Sequence, residues 1–390
     1  MSENWHQLYT ELTDFITSHT EIKIEPYVVR IHETVRPEFY RLFWATREAF
    51  IRERHKTLID AAETLSREYL QVEEEIIKLI GLERIVLFPR VNNFLHNPID
   101  VLTKELHKPL FNLLKGRIGI ESYEKEASSI SVSYFDLLFQ KGYEIWMVLS
   151  LIKLLEADKT FRVDADDFDE NDAYRHGGGT EEVMVGEPEE LKQISFKHND
   201  VIGILVADQI VHSARLGYYF SFRPHIVEPD LDAINKSKKR EWLPLPVETI
   251  INMGSNVILV YTDKELDELS IIADSRTICR PDLIIECVGL EKLFGEKSLA
   301  KTRKCNEDFK PKLGTYIISN RPLIEKKIED KGIDSVPNEP AAERIPEEED
   351  IHFLPIGFDQ SKLEQVINLF NKENNGIMRS DKYQTKRAQH

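Results

Sequence analysis

The stretch Ser270–Gly289, SIIADSRTICRPDLIIECVG, decides the fold of the second half of the chain. Two apolar runs flank a polar segment, a pattern that predicts two strands joined by a hairpin. Side chains alternate between the two faces of a strand, so Asp282, Ile284 and Glu286 share one face. The hairpin would bring Asp274, which ends the first run, close to that face. The stretch therefore predicts a cluster of carboxylates on a small sheet.

Carboxylates that lie this close repel each other, which raises a pKa unless a cation joins them. Mg²⁺ is the expected cation, because it prefers carboxylate oxygens and can activate a water for attack on a phosphodiester. We therefore expect Asp274, Asp282 and Glu286 to be metal ligands. Glu286 is the strongest of the three, since a carboxylate inside the apolar string LIIEC is costly unless it is paired. Asp282, which follows Pro281, is alternatively an ordinary turn residue at the start of a strand.

The rest of the chain divides into a helical first part and a mixed second part. Apolar residues at helical spacing predict helical structure over 37–80, 99–114 and 133–156. The helix over 99–114 is expected to be interrupted at Pro109. The later pattern predicts strands over 201–211, 218–222, 256–261, 270–273, 283–288 and 315–319, with helices over 290–304 and 361–371. The predicted fold class is α+β, with a helical N-terminal region followed by an α/β domain that contains a small mixed sheet.

Composition sets the expected domains and excludes some classes of function. Residues 1–130 form the helical region and 131–330 the α/β domain, with an acidic insert at 163–190; a linker at 331–350 precedes a C-terminal strand, helix and tail at 351–390. The net charge is −17. That charge excludes a generally basic nucleic-acid binder, yet much of the acid lies in the insert and the linker, which leaves room for a local basic groove.

Cysteine usage and hydropathy predict a soluble cytoplasmic protein. The chain has 3 cysteines and no CxxC pair, which argues against a disulfide framework and a structural zinc site. The N-terminus has no basic start followed by an apolar run, so we expect no signal peptide. The apolar stretch 145–155 is too short to cross a bilayer, which needs about 20 residues, so no membrane partner is expected.

Two basic clusters are candidate contacts for DNA. Lys238, Lys239 and Arg240 precede Trp242, a combination that suits phosphate contact and base stacking. Lys297, Lys301 and Lys304 follow the carboxylate stretch at helical spacing and would share one helical face. The alternative for each cluster is an ordinary solvated surface.

The string RPDLIIEC resembles the core of the PD-(D/E)XK nuclease superfamily, in which an aspartate and an (Asp/Glu)-x-Lys triplet lie on adjacent strands of a small mixed sheet. The string Tyr143-Glu144-Ile145-Trp146 resembles the preceding core helix of a version found beside McrC-type restriction subunits. The resemblance covers roughly residues 130 to 320. It implies a restriction-endonuclease-like fold, Mg²⁺-dependent hydrolysis of DNA, a role in bacterial restriction or anti-phage defence, and a supporting role for Glu144. A buried Glu144 that is paired with an arginine is the alternative.

One position departs from the family pattern. The triplet is Glu286-Cys287-Val288, with valine where the family has the lysine that positions the attacking water. Lys292 could replace that lysine if the strand runs into a helix that points back. Otherwise the nuclease is inactive and the fold serves to dock a partner subunit, such as a motor ATPase, or a nucleic acid. A third hypothesis is an acidic DNA mimic. The sequence does not predict the oligomeric state.

Overall fold

The structure is a computed structural model, in which the chain forms two compact units. The N-terminal unit comprises Met1–Gln71 and Phe88–Trp146, and the C-terminal unit comprises Val72–Leu87 and Met147–His390. The structure describes residues 4–87, 89–165, 194–198, 201–203, 209–213, 218–222, 257–262, 283–290, 294–309, 311, 313–321, 324–325, 343–344 and 350–368.

Helices dominate the first 154 residues, as predicted. They are α1 (Trp5–Ser18), α2 (Arg36–Arg54), α3 (Lys56–Ile80), α4 (Pro89–His96), α5 (Pro98–Glu105), α6 (His107–Leu114) and α7 (Ile120–Leu154). Strands β1 (Ile22–Ile24) and β2 (Val29–Ile31) form an antiparallel hairpin between α1 and α2. Helices α3 and α7 each contribute residues to both units.

Local signals explain where several of these helices begin and end. The Asn4 side chain accepts a hydrogen bond from the His6 amide and caps α1, and Asn97 caps α5 in the same way through the Asp100 amide. Gly81, at φ 74°, follows α3 and supplies the left-handed residue that commonly ends a helix.

The predicted interruption at Pro109 is wrong by a few residues. The chain leaves the helix after Glu105, and Pro109 lies in the first turn of α6. A proline is tolerated there, because the amide hydrogens of the first turn have no partner within the helix. The stretch 37–80, predicted to be helical, consists of two helices, α2 and α3, with His55 between them.

The core of the N-terminal unit is aromatic and contains the buried cation Arg47. Trp5 packs against Phe50 and Tyr123, with ring centroids 5.3 and 5.5 Å apart. The Arg47 guanidinium donates to the Phe43 carbonyl at 3.1 Å and the Thr103 carbonyl at 3.0 Å. Burial lowers the pKa of Arg47 to about 10.

The C-terminal unit contains the remaining strands. These are β3 (Arg84–Val86), β4 (Lys159–Ala165), β5 (Ile194–His198), β6 (Val201–Gly203), β7 (Gln209–Ser213), β8 (Tyr218–Phe222), β9 (Val257–Thr262), β10 (Leu283–Val288), β11 (Thr315–Ser319), β12 (Ile324–Glu325), β13 (Glu343–Arg344) and β14 (Ile351–Pro355). Helix α8 (Glu296–Phe309) connects β10 to β11, and α9 covers residues 360–368. The unit is thus mixed, and the α+β class is confirmed.

Eight strands form one mixed sheet in the order β14-β11-β10-β9-β8-β7-β4-β5. Neighbours from β5 to β10 are antiparallel, whereas β10, β11 and β14 are parallel. Strand β10 therefore lies where the sheet changes from antiparallel to parallel pairing. The predicted strands 218–222, 283–288 and 315–319 match β8, β10 and β11 residue for residue.

Gly314 fixes the junction of the parallel strands. Its φ is 82°, and a Cβ atom there would lie 2.8 Å from the Asp350 carbonyl oxygen. That carbonyl accepts a hydrogen bond from the Thr315 amide at 2.8 Å, and the Gly314 carbonyl accepts one from the Ile284 amide. Glycine is therefore needed where β10, β11 and β14 enter the sheet side by side.

Candidate functional site

Glu286 lies in β10, the third strand from one edge of the eight-stranded sheet, on the face that α8 covers. Its partner in register on β11 is Ile317, and the partner of Ile317 on β14 is Phe353. Partners in register point to the same face of a sheet, and residues two apart on a strand do so as well. Glu286 consequently shares its face with Val288, Ile317 and Phe353. Its side chain is half-buried, whereas the other five residues of β10 are buried.

Val288, the third residue of the triplet, lies inside an apolar cluster. It is 5% exposed and clusters with Leu299 of α8, Ile317 and Ile351. Phe294 and Phe353 pack against this cluster. Because side chains alternate along β10, Val288 lies on the same face as Glu286, as the third residue of the family's triplet would. Helix α8 packs over this position through Leu299.

Helix α8 has an inner face that packs on the sheet and an outer face that carries charge. Leu299 and Thr302 are buried on the inner face. The Thr315 hydroxyl of β11 donates to Asn306 Oδ1 at 2.8 Å and joins the helix to the sheet.

The exposed side of α8 carries the predicted lysine row, namely Lys297, Lys301 and Lys304. Among the described residues, none of these three lysines forms an ion pair with a carboxylate. Their helical spacing is as predicted, and their role in nucleic-acid binding stays a prediction.

Glu144 belongs to the N-terminal unit and is buried in α7. Its side chain is 2% exposed and accepts a hydrogen bond from Lys141 Nζ at 3.1 Å, three residues earlier on the same helix. A buried carboxylate is expensive unless it is paired, and the pair accounts for Glu144 in an apolar helix. The expectation of a buried, paired carboxylate holds, although the cation is a lysine and not an arginine. The i, i+3 spacing in the sequence is the signal for this pair.

Helix α7 packs closely on its neighbours beside this pair. A Cβ atom on Gly142 would lie 2.8 Å from methyl groups of both Leu65 on α3 and Leu95 on α4. The Ser66 hydroxyl also donates to the Leu95 carbonyl at 2.6 Å, which ties α3 to α4. Close helix packing thus excludes water from this part of α7.

The remaining predicted site residues lie outside the described residues. They are Asp274, Asp282, Lys292, Lys238, Lys239, Arg240 and Trp242. Within the described ranges, no group of three or more His, Cys, Asp or Glu side chains could hold a metal ion. The described part of the sheet offers a single carboxylate, Glu286, at the predicted Mg²⁺ site, and its described partner in register, Ile317, is apolar. The described donors alone therefore do not fit Mg²⁺.

Comparisons with known proteins give no match. A scan against protein-family models and searches of curated proteins and of solved structures found nothing similar to this chain. Among the helices that the structure describes, none is both long and apolar enough to span a membrane.

Proposed function

We propose that this chain is a nuclease-like component of a restriction or anti-phage system that binds DNA without cutting it. The observation that carries the proposal is the two-sided character of α8. Its inner face helps to bury position 288, where the family pattern has a lysine, among apolar side chains. Its outer face carries Lys297, Lys301 and Lys304.

The sheet supports the nuclease-like part of the proposal. Strand β10 belongs to a mixed sheet and lies between β9 and β11, whereas the first motif strand of the resemblance, predicted over 270–273, lies outside the described residues. The long helix α7 precedes the sheet and carries Glu144, in the order that the resemblance implies.

The apolar cluster supports the non-catalytic part. A catalytic lysine at position 288 would place its ammonium among Leu299, Ile317 and Ile351, where a charge without a partner is strongly disfavoured. The step that positions the attacking water and offsets charge in the transition state has no group to perform it at this position.

The lysine row has dimensions that fit a phosphate backbone. Seven residues of α-helix separate Lys297 from Lys304, a rise of about 10 Å at 1.5 Å per residue. One DNA strand carries a phosphate every 3.4 Å or so along the axis, so the row can contact about three phosphates.

A salt titration of duplex binding tests this proposal. Each phosphate contact contributes about −0.9 to the slope of log K against log salt, so replacing all three lysines of the row with glutamine should reduce the slope by about 2.7. A matched control removes three exposed, ion-paired cations elsewhere, Arg52→Gln, Lys78→Gln and Lys104→Gln, with the same change in net charge. An equal loss in both triple variants would contradict a specific role for α8 and favour docking of a protein partner, such as an ATPase.

Metal-dependent hydrolysis is the second candidate, and it rests on Glu286. This residue keeps a half-buried carboxylate in a strand whose other side chains are all buried. Plasmid DNA incubated with the protein and Mg²⁺ or Mn²⁺ separates the two candidates. Cleavage that Glu286→Ala abolishes would establish hydrolysis, whereas intact plasmid with both proteins agrees with binding alone.

A further inference from the structure

The β1–β2 hairpin of the N-terminal unit presents an exposed aromatic ring at its tip. Pro26 and Tyr27 form a two-residue loop, which is closed by hydrogen bonds from the Glu25 amide to the Val28 carbonyl at 2.8 Å and from the Val28 amide to the Glu25 carbonyl at 3.2 Å. The proline fixes its own φ and stiffens the loop. Tyr27 is 92% exposed.

Arg117 supports the hairpin tip from the loop after α6. Its guanidinium donates to the Pro26 carbonyl, and its central carbon lies 5.7 Å from the centre of the Tyr27 ring. The contact fixes the tip of the hairpin to a second part of the unit, 91 residues away in sequence. Tyr27 is therefore held in place while most of its ring surface stays open to water.

Cations lie on the strands of the hairpin and in the loop that contacts its tip. Lys23 and Arg30 are partners in register on the outward, exposed face of the hairpin, while the residues on either side of them face the other way. Residues 106–120, which contain Lys115 and Arg117, include no Asp or Glu in a chain of net charge −17. Lys23 pairs with Glu25 at 3.0 Å, but no carboxylate of the described residues forms an ion pair with Arg30 or Lys115.

We propose that this surface, formed by Tyr27, Lys23, Arg30, Lys115 and Arg117 and named here the hairpin surface, binds single-stranded nucleic acid. An open aromatic ring stacks on any unpaired base, and cations beside it hold the flanking phosphates. A single strand fits better than a duplex, because only unstacked bases can lie flat on the ring. The inference is independent of the lysine row on α8, which lies in the other unit.

Binding of labelled 20-nucleotide oligo(dT) and oligo(U) to the full chain, followed by fluorescence anisotropy, tests the inference. Tyr27→Ala should weaken binding about tenfold, while Tyr27→Phe, which keeps the ring, should bind like wild type. Tyr40→Ala is the matched control, since Tyr40 is another exposed tyrosine of the same unit, at 43% exposure, and lies outside the hairpin. The two oligonucleotides show whether the ligand is DNA or RNA.

Charge variants and a competitor complete the test. Arg30→Gln and Lys115→Gln should each reduce the salt slope by about 0.7, the value for one phosphate of a single strand. The Tyr27→Ala effect should persist when the three lysines of α8 are glutamine, which keeps this inference separate from the proposed function. The inference is overturned if Tyr27→Ala binds like wild type, if Tyr40→Ala weakens binding equally, or if poly-glutamate displaces the oligonucleotide more readily than unlabelled oligonucleotide does.

Discussion

Two carboxylates in apolar segments, Glu144 in α7 and Glu286 in β10, are accommodated in different ways. Helix α7 supplies its own counter-charge, because Lys141 lies three residues earlier and therefore on the same side of the helix. Strand β10 does not, because the residues that share a face with Glu286 on this strand are Ile284 and Val288. A counter-charge for Glu286 has to come from another element.

The difference bears on where function can reside. The Lys141–Glu144 pair compensates the charge of a buried carboxylate within one helix, through the Oε2 atom of Glu144. Glu286 is half-buried in β10, and its described partner in register, Ile317, is apolar. Glu144 is 2% exposed, whereas the half-buried Glu286 is partly accessible to solvent, so β10 carries the more accessible carboxylate of the two.

The largest expected effect concerns Val288. In Val288→Lys the ammonium would enter the apolar cluster with Leu299 and Ile317, and we expect a loss of about 4 kcal/mol in the stability of the C-terminal unit. Urea unfolding, followed together with hydrogen exchange of the β10 and β11 amides, measures it.

The control for Val288→Lys is Val86→Lys. Val86 belongs to the same unit but is 37% exposed, so a lysine there should change stability by about 0.5 kcal/mol at most. Equal stability of the two variants would show that position 288 can house a lysine, and the argument against a catalytic group there would fail.

Lys141→Met is expected to have the next largest effect. It removes the ammonium that compensates the buried Glu144, which should cost about 3 kcal/mol in the free energy of unfolding. The double variant Lys141→Met with Glu144→Leu replaces the pair by apolar groups and should recover most of that loss. Calorimetry of the single and double variants measures the coupling. A double variant no more stable than Lys141→Met would mean that the pair is not what keeps Glu144 in the core.

The same two segments show what the sequence could predict. The bounds of β10 follow from an apolar run between Pro281 and Gly289, and the Lys141–Glu144 spacing is visible in the sequence itself. The predicted start of α7 at Ser133 is too late, since the helix begins at Ile120. Residues 120–132 are polar on most sides, and tertiary packing of Tyr123 and Ala127 holds them in the helix.

The environment of Val288 could not be predicted from local pattern. The alternation of side chains along β10 predicts which face Val288 lies on. Its burial, however, depends on contacts with β11, β14 and α8, and the most distant of these residues, Ile351, is 63 positions later in the sequence. The sequence identifies a valine where the resemblance implies a lysine, and it leaves the environment of that valine open. Three-dimensional packing shows that position 288 is buried among apolar side chains.

The smallest expected effect is a dependence of the stability of the N-terminal unit on pH. It arises from two partly buried histidines, His55 and His107. Partial burial, followed by the charge of Arg54, lowers the pKa of His55, and partial burial with the charge of Arg47 lowers the pKa of His107. Both imidazoles are therefore neutral in the folded protein at pH values where the unfolded chain, with a pKa near 6.5, already binds a proton. The stability that they contribute is present above about pH 6.5 and is lost as the pH falls through 6.5 towards the lower folded pKa values.

Urea midpoints at pH 8.0 and pH 5.5 measure this loss, and His55→Gln combined with His107→Gln should make it smaller. At pH 8.0 the imidazoles of His55 and His107 are neutral in both states, so the value there reports only the packing change caused by the substitutions. The carboxyls of Glu38 and Asp359, whose pKa values are lowered by hydrogen bonds from Arg41 and Ser361 respectively, lose their contribution only at pH values below their ordinary range. An unchanged difference between the two pH values in the double variant would mean that protonation of these two histidines does not drive the loss.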